Sequence, residues 1–136
     1  MPLVVDKFKA QCTHWVPHPT FVWLPGKQLV PPDGLAFQTS EGNVTVETGK
    51  VLDPILNDWL LEGVDDVCLL PDMSEATLVH SLRTRYVRDE IYTFISVILI
   101  AVNPFKRLAL YSSQNIELHR TAEDMQTLLP HIFGVA

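Results

Sequence analysis

The chain has 136 residues, a size that fits one domain, or a small domain followed by the start of another. Hydrophobic residues make up 47% and charged residues 19%, which is globular rather than disordered composition. The formal net charge of −6 argues against a nucleic-acid or anionic-membrane partner, because either would need a concentrated basic face.

The sequence also lacks the features of exported and membrane-inserted proteins. Its N-terminus has no apolar signal core followed by a cleavage site. The longest apolar run, Ile95–Val102, is too short to span a bilayer. Cys12 and Cys68 lie far apart without metal-ligand spacing, as is typical of two reduced thiols. We therefore expect a cytoplasmic protein without membrane insertion.

The N-terminal half is patterned for short strands. Residues 1–19 are expected to form an extended lead, because Pro17 and Pro19 interrupt any period. Residues 20–57 then contain an apolar run over 21–24, a candidate second strand over 27–30, and a hairpin with period-two alternation over 35–47. This pattern predicts a small SH3-like antiparallel barrel.

The second half, 58–136, is patterned for longer elements. Ser74 is a suitable N-cap for a helix over 75–87. Apolar residues follow at helical spacing, namely Leu78, Val79, Leu82 and Tyr86. The basic residues lie mostly on other faces, namely Arg83, Arg85 and Arg88. Residues 91–102 are rich in β-branched and aromatic residues, which predicts one strand buried on both faces. A short helix is expected from Ser113 and another at Pro130.

The most informative candidate site follows that strand. Asn103 and Pro104 end it, and Phe105, Lys106, Arg107 and Tyr111 come next. Ligands gather at such strand ends in α/β sheets, and an Asn amide can pair with a purine edge. The two basic residues can face phosphates or acidic neighbours. From the residues alone, a strand-terminating turn with a solvated basic tip remains the simpler interpretation.

Other residue sets have simpler structural interpretations. The five histidines lack metal-helix spacing and are expected at the surface or at caps, and Asp65–Asp66 is expected at a turn. Trp23 and Trp59 are a candidate peptide-binding pair, but such residues more often form the core of a small domain. The 136 residues contain no phosphate loop of the GxxxxGK[ST] type and no local nucleophile signature, so no catalytic or metal-ligating residue is assigned.

Several stretches, taken in order, resemble the myosin heavy-chain head. The sequence Val22–Pro25 is similar to the Val-Trp-x-Pro opening of the myosin N-terminal SH3-like domain, and Gly63–Leu70 to the start of the motor. The matching motifs continue through Glu75–Tyr86, Ile91–Phe94, Ile100–Arg107 and Leu129–Phe133. The resemblance implies an α+β fragment: an SH3-like barrel, then the first helix, strand and purine loop of an α/β P-loop motor domain.

The resemblance also implies a nucleotide site. The family's adenine pocket uses Asn-Pro, six residues, and Tyr, which here are Asn103, Pro104 and Tyr111, with Phe105, Lys106 and Arg107 nearby. The implied cofactor is ATP, as Mg-ATP in a full-length motor, and the implied partners are actin filaments and light chains in the cytoplasmic actin cytoskeleton. Three positions depart from the family: Ser96 replaces a usual Gly, Ala109 a Pro, and His119 an aromatic residue.

Three expectations follow for the chain by itself. Without a phosphate cradle it is expected not to hydrolyse ATP and to bind it weakly or not at all. The apolar strand over 95–102 is expected to expose an edge and lower solubility. The alternatives to a motor fragment are a non-catalytic interaction module and a degenerate or truncated gene product.

Overall fold

The computed structural model describes residues 7–29, 35–124 and 127–135. Six strands and two helices have both ends within these ranges, in the order β1 His14–His18, β2 Val22–Gln28, β3 Ala36–Thr39, β4 Gly42–Thr45, α1 Glu75–Val87, β5 Tyr92–Ile95, β6 Ile98–Ala101 and α2 Ser113–Thr121. Three 3-10 helices lie at Asp58–Glu62, Val67–Leu69 and Ile132–Gly134. The chain is therefore a small α+β unit, as the sequence predicts.

The first four strands form an antiparallel sheet in the order β1-β2-β3-β4. Strand β2 serves both halves of this sheet, since its first five residues pair with β1 and its last two pair with β3. A four-stranded antiparallel sheet agrees with an SH3-like start. Closure into a barrel and the division of the chain near residue 57 stay predictions.

Two boundaries in this sheet differ from those expected. The sheet begins at His14, because β1 lies within the lead predicted over 1–19 and pairs with β2 along its whole length. Pro25 and Gly26 do not separate two strands, since β2 continues through both to Gln28. The expected end of the second strand, at Val30, lies outside the described residues.

Helix α1 has the predicted bounds, and its cap explains why. The Ser74 hydroxyl accepts a hydrogen bond from the Thr77 backbone N–H at 3.3 Å, which satisfies one of the free donors of the first turn. Gly63, with φ +76°, lies so close to this helix that a Cβ there would sit 3.2 Å from the Ser81 carbonyl oxygen and from Arg85 Cγ. The glycine therefore lets the preceding loop pack directly on α1.

The apolar residues at helical spacing do not form the most buried face of α1. Its buried residues are small or polar, namely Ala76, Thr77, His80, Ser81 and Arg85. The predicted apolar set is only partly buried. Small residues let the helix approach its neighbours closely, and most of the buried polar groups have partners. For example, the Ser81 hydroxyl accepts from Val64 N–H at 3.0 Å, whereas His80 Nδ1 has no partner among the described residues.

Arg85 anchors α1 to the next strand, a role that its expected position away from the apolar residues did not predict. Its Nε donates to the Thr93 hydroxyl at 3.0 Å and one terminal nitrogen donates to the Tyr92 carbonyl at 2.8 Å. The other terminal nitrogen forms an ion pair with Asp65. A buried guanidinium is tolerated here because its donors have partners.

Residues 91–102 form a hairpin, so the prediction of one strand buried on both faces was wrong. Strands β5 and β6 pair antiparallel with Ile95 opposite Ile98, and Ser96 and Val97 form a two-residue turn. Ser96 has φ +54°, a conformation that favours glycine. The glycine usual at this position in the resembled family is therefore explained by the turn rather than by close backbone approach.

Three clusters of buried apolar side chains form the core. One centres on Trp15 and Leu61, a second on Leu60 and Val67, and a third on Val16 with its neighbours in the four-stranded sheet. Trp15 is thus the fully buried tryptophan, although Trp23 and Trp59 were the tryptophans expected in the core. None of the helices in the described ranges is long and apolar enough to cross a membrane.

Candidate functional site

The predicted purine loop leaves the sheet at the end of β6. Val102 N–H donates to the Ile91 carbonyl at 3.0 Å, so the ladder extends one residue past the strand. Asn103 then turns the chain, since its Oδ1 accepts from Phe105 N–H at 2.9 Å. Phe105 has φ +51° and its side chain is 88% exposed. The structure therefore places an Asn-stabilised turn with an outward aromatic residue where the site was predicted.

The two basic residues of the loop lie at its outer surface. Lys106 Nζ forms a salt bridge of 2.5 Å with Asp89, just beyond the end of α1. Arg107 is exposed. The acidic neighbour considered for these basic residues as an alternative to a phosphate is therefore Asp89, which forms an ion pair with Lys106.

Tyr111, the other end of the predicted site, lies against a separate set of aromatic residues. Its hydroxyl is 2.7 Å from the hydroxyl of the buried Tyr92 on β5. Its ring centroid lies 5.7 Å from that of His131 and 6.1 Å from that of Phe133, both edge-on. Tyr111 nevertheless keeps 55% of its surface exposed, so a face remains available for a ligand.

The carbonyl before Tyr111 is a junction between two segments. The Leu110 oxygen accepts from the Asn115 side-chain amide at 2.7 Å and from His131 Nε2 at 2.9 Å. Both lone pairs of that oxygen are therefore used. Neither Asn115 nor His131 was predicted at the site, because their role depends on a backbone acceptor that no residue pattern marks.

Burial shifts the pKa values of two groups in this aromatic cluster. Burial and the hydrogen bond with Tyr111 raise the pKa of Tyr92 to about 12. Burial lowers the pKa of His131, and the nearby His119 lowers it further, although the bond to Leu110 opposes the change. Both groups are therefore neutral near pH 7.

The expectation that the histidines lie at the surface or at caps was wrong for His80 and His119, which are buried within the fold. His131 is buried too, but it caps a turn as expected, since its Nδ1 accepts from Phe133 N–H. His119 packs 5.0 Å from the His131 ring, with Nδ1 bonded to the Asn115 carbonyl and Nε2 without a partner in the described structure. No group of three potential ligands for a metal ion occurs among the described residues.

Asp65 and Asp66 have the structural role that was expected. Asp66 Oδ1 accepts from the backbone N–H groups of Cys68 and Ser96. Burial raises the pKa of Asp66, but these hydrogen bonds outweigh it and hold the pKa below its usual value. Asp66 therefore links the 3-10 helix over Val67–Leu69 to the hairpin turn, while Asp65 pairs with Arg85.

A cleft of about 350 Å³ lies behind the aromatic cluster, between the end of α1, β5, α2 and the segment over 127–131. Its lining includes Tyr92, Leu118, His119 and Leu129. None of the six predicted site residues lines this cleft. The predicted site residues thus form an exposed surface beside the cleft, and the loop contributes only Leu110 to the cleft lining.

Residues 64–136, which include the whole loop, match the family profile of the myosin head (motor domain). The chain belongs to the myosin family. This myosin chain is 36% identical over 133 residues to the high molecular weight form of myosin-1 from Acanthamoeba castellanii, an alignment that covers 90% of the chain and 8% of the relative.

Two further myosins are similar to the chain over the same share of its length. The myosin chain is 32% identical over 125 residues to the myosin-H heavy chain of Dictyostelium discoideum, covering 90% of the chain and 7% of the relative. It is 33% identical over 130 residues to unconventional myosin-VI of Sus scrofa, covering 90% and 10%. Residues 64–136 alone cannot supply 90% coverage, so the alignments reach into the four-stranded sheet. The chain spans a tenth or less of the length of these relatives.

Proposed function

We propose that this myosin chain is the N-terminal part of an actin-based, ATP-driven motor and that it supplies the adenine side of the nucleotide site. Asn103, Pro104 and Tyr111 line the base in this proposal, with Phe105, Lys106 and Arg107 beside it. The observation that carries the proposal is the family match over residues 64–136, which spans the whole Asn103–Tyr111 loop.

The geometry of the loop supports contact with a base. Asn103 uses one oxygen lone pair for the Phe105 N–H, and its amide nitrogen has no partner among the described residues. An Asn amide with a free N–H and a remaining lone pair can bond a purine edge. The half-exposed Tyr111 offers a ring face or its hydroxyl.

The charges of the loop support a nucleotide less directly. Lys106 is paired with Asp89, whose side chain is itself half-exposed, and such an exposed pair is worth about 1 kcal/mol or less. A phosphate could therefore compete for Lys106 at little cost. Actin filaments, light chains and a place in the cytoplasmic actin cytoskeleton belong to this proposal at the level of the full-length motor.

A titration followed by ¹H–¹⁵N NMR tests the adenine site on the chain itself. We expect adenosine and Mg-ATP, at millimolar concentration, to shift the same backbone resonances within Asn103–Tyr111. Tripolyphosphate, which lacks the base, should shift at most the resonances of Lys106 and Arg107 and should leave those of Asn103 and Tyr111 unchanged. Since weak binding is visible as fast-exchange shifts, low affinity does not prevent the measurement.

Matched variants separate base contact from general surface effects. Asn103→Ala should abolish the adenosine-dependent shifts, whereas Asn43→Ala, at an exposed position on β4, should leave them intact. If adenosine shifts no resonance in the loop of the folded wild-type chain, or if tripolyphosphate gives the same pattern as ATP, the adenine assignment is wrong.

A further inference from the structure

We infer that Tyr92, Asn115 and His131 are positioning residues that hold Tyr111 in place for the base. This inference rests on the proposed adenine site. None of the three is among the six residues assigned to that site. They come from β5, from α2 and from the segment preceding the last 3-10 helix, so three separate parts of the chain converge on the Leu110–Tyr111 peptide.

Tyr92 holds the Tyr111 hydroxyl in place from a buried position in the fold. Tyr92 is only 7% exposed, and its carbonyl accepts from the buried Arg85 at 2.8 Å. Its hydroxyl lies 2.7 Å from that of Tyr111, which is half-exposed. Because one partner is held inside the fold and the other faces solvent, the bond restricts Tyr111 far more than Tyr92.

Asn115 and His131 fix the backbone immediately before Tyr111. The Leu110 carbonyl accepts from both side chains, at 2.7 and 2.9 Å. This oxygen has two lone pairs, and each is used by one donor. Rotation of the peptide plane would break both bonds, so the direction in which the Tyr111 side chain leaves the backbone is set from outside the loop.

The hydrogen bonds of His131 also define its tautomer. Its Nδ1 accepts from the Phe133 backbone N–H at 3.2 Å, so Nε2 carries the proton that is donated to Leu110. The same ring packs against Tyr92 at 5.3 Å and Tyr111 at 5.7 Å between centroids. One neutral imidazole therefore supports the backbone and the ring of the Tyr111 end together.

The other end of the loop has no comparable support. Asn103 is bonded within its own turn, to Phe105 N–H, and Phe105 is almost fully exposed. The two ends of the site thus differ: the Asn103 end is held locally and the Tyr111 end by distant residues. The positioning residues should consequently affect recognition of the base and leave contacts with phosphates unchanged.

Adenosine affinity, measured from the NMR titration above, tests this inference with Tyr92→Phe, which removes only the hydroxyl. We expect the Kd for adenosine to rise roughly five- to tenfold, because the variant loses one hydrogen bond that orders Tyr111. Tyr86→Phe, on α1, is the matched control and should bind as the wild type does. His131→Phe should weaken adenosine binding similarly. His131→Gln, which keeps a side-chain donor for the Leu110 carbonyl, should bind adenosine more tightly than His131→Phe does.

A second readout, without ligand, separates positioning from simple loss of stability. In Tyr92→Phe the nuclear Overhauser contacts between the Tyr111 ring and the rings of His131 and Phe133 should weaken, while the contact between Trp15 and His80 in the core stays unchanged. If the wild type binds adenosine and Tyr92→Phe binds equally well with the Tyr111 ring in place, the inference is wrong and the adenine site stands. If the wild type gives no adenosine-dependent shift, the proposed site fails, and the inference fails with it.

Discussion

Acid should destabilise this chain through one buried histidine on α1. His80 is buried against the Trp15 ring, with centroids 5.1 Å apart, and its Nε2 donates to the Leu61 carbonyl at 3.1 Å. Its Nδ1 has no partner among the described residues. Protonation would place a second N–H at this unpartnered position, so the fold favours the neutral ring.

The loss of folding free energy in acid follows from the shifted pKa of His80. Burial lowers the pKa of His80 from 6.5 to about 4; the Leu61 bond and Glu62 oppose the shift, and Arg83 and Lys9 add to it. Because the folded-state pKa is the lower one, this stabilisation is complete above pH 6.5 and is lost as pH falls toward 4. At 1.36 kcal/mol per unit the total loss is roughly 3 kcal/mol, and about 2 kcal/mol of it is reached by pH 5.

Urea unfolding followed by tryptophan fluorescence at pH 7 and pH 5, at constant ionic strength, measures this loss. The control is His80→Gln, whose side-chain amide can still donate to the Leu61 carbonyl but does not titrate. Between the two pH values the wild type should lose about 2 kcal/mol more free energy of unfolding than the variant. Equal losses in the two proteins, or a His80 pKa near 6.5 measured by NMR, would refute the reasoning.

Three further substitutions test particular packing claims. Ser96→Gly should raise the free energy of unfolding by about 1 kcal/mol in urea melts, because it relieves the positive φ of the hairpin turn. Gly26→Ala should lower it by roughly 2 kcal/mol, because the new Cβ would overlap the Val16 side chain between β1 and β2. Ile98→Lys should reduce self-association in sedimentation velocity, because this 62% exposed residue lies on the open strand β6.

Each of these has a control within the chain. Val16→Ala removes the group that Gly26→Ala would strike, so the double variant should be less destabilised than the sum of the two single changes. Thr45→Lys adds the same charge on strand β4 of the other sheet, and association that falls equally in both lysine variants would point to charge alone. A Ser96→Gly chain no more stable than the wild type would show that the turn is not strained.

The sequence predicted elements with clear end signals and missed those without them. Helix α1 has its expected bounds because Ser74 is a strong cap. The hairpin over 92–101 was predicted as one strand because Ser96 gives no turn signal, although it adopts the conformation that glycine usually provides. The buried face of α1 was missed because it is polar, and hydrophobic spacing cannot identify a face whose burial depends on tertiary partners.

The candidate site divides in the same way. Its six residues came from the resemblance to a family, and no composition or spacing would have selected them over an ordinary turn. The supporting residues Tyr92, Asn115 and His131 act through a hydroxyl pair and a shared backbone carbonyl. Such contacts join positions up to 21 residues apart, so only a three-dimensional structure brings them together.

Photolabelling with 2-azido-ATP, followed by peptide mass spectrometry, tests the central claim most directly because it records where the base lies. We expect the adduct within Asn103–Tyr111 and expect excess adenosine to suppress it. An adduct on the cleft behind the loop, for example at Leu118 or Leu129, or labelling that adenosine does not reduce, would contradict the assignment of this loop as the adenine side of the site.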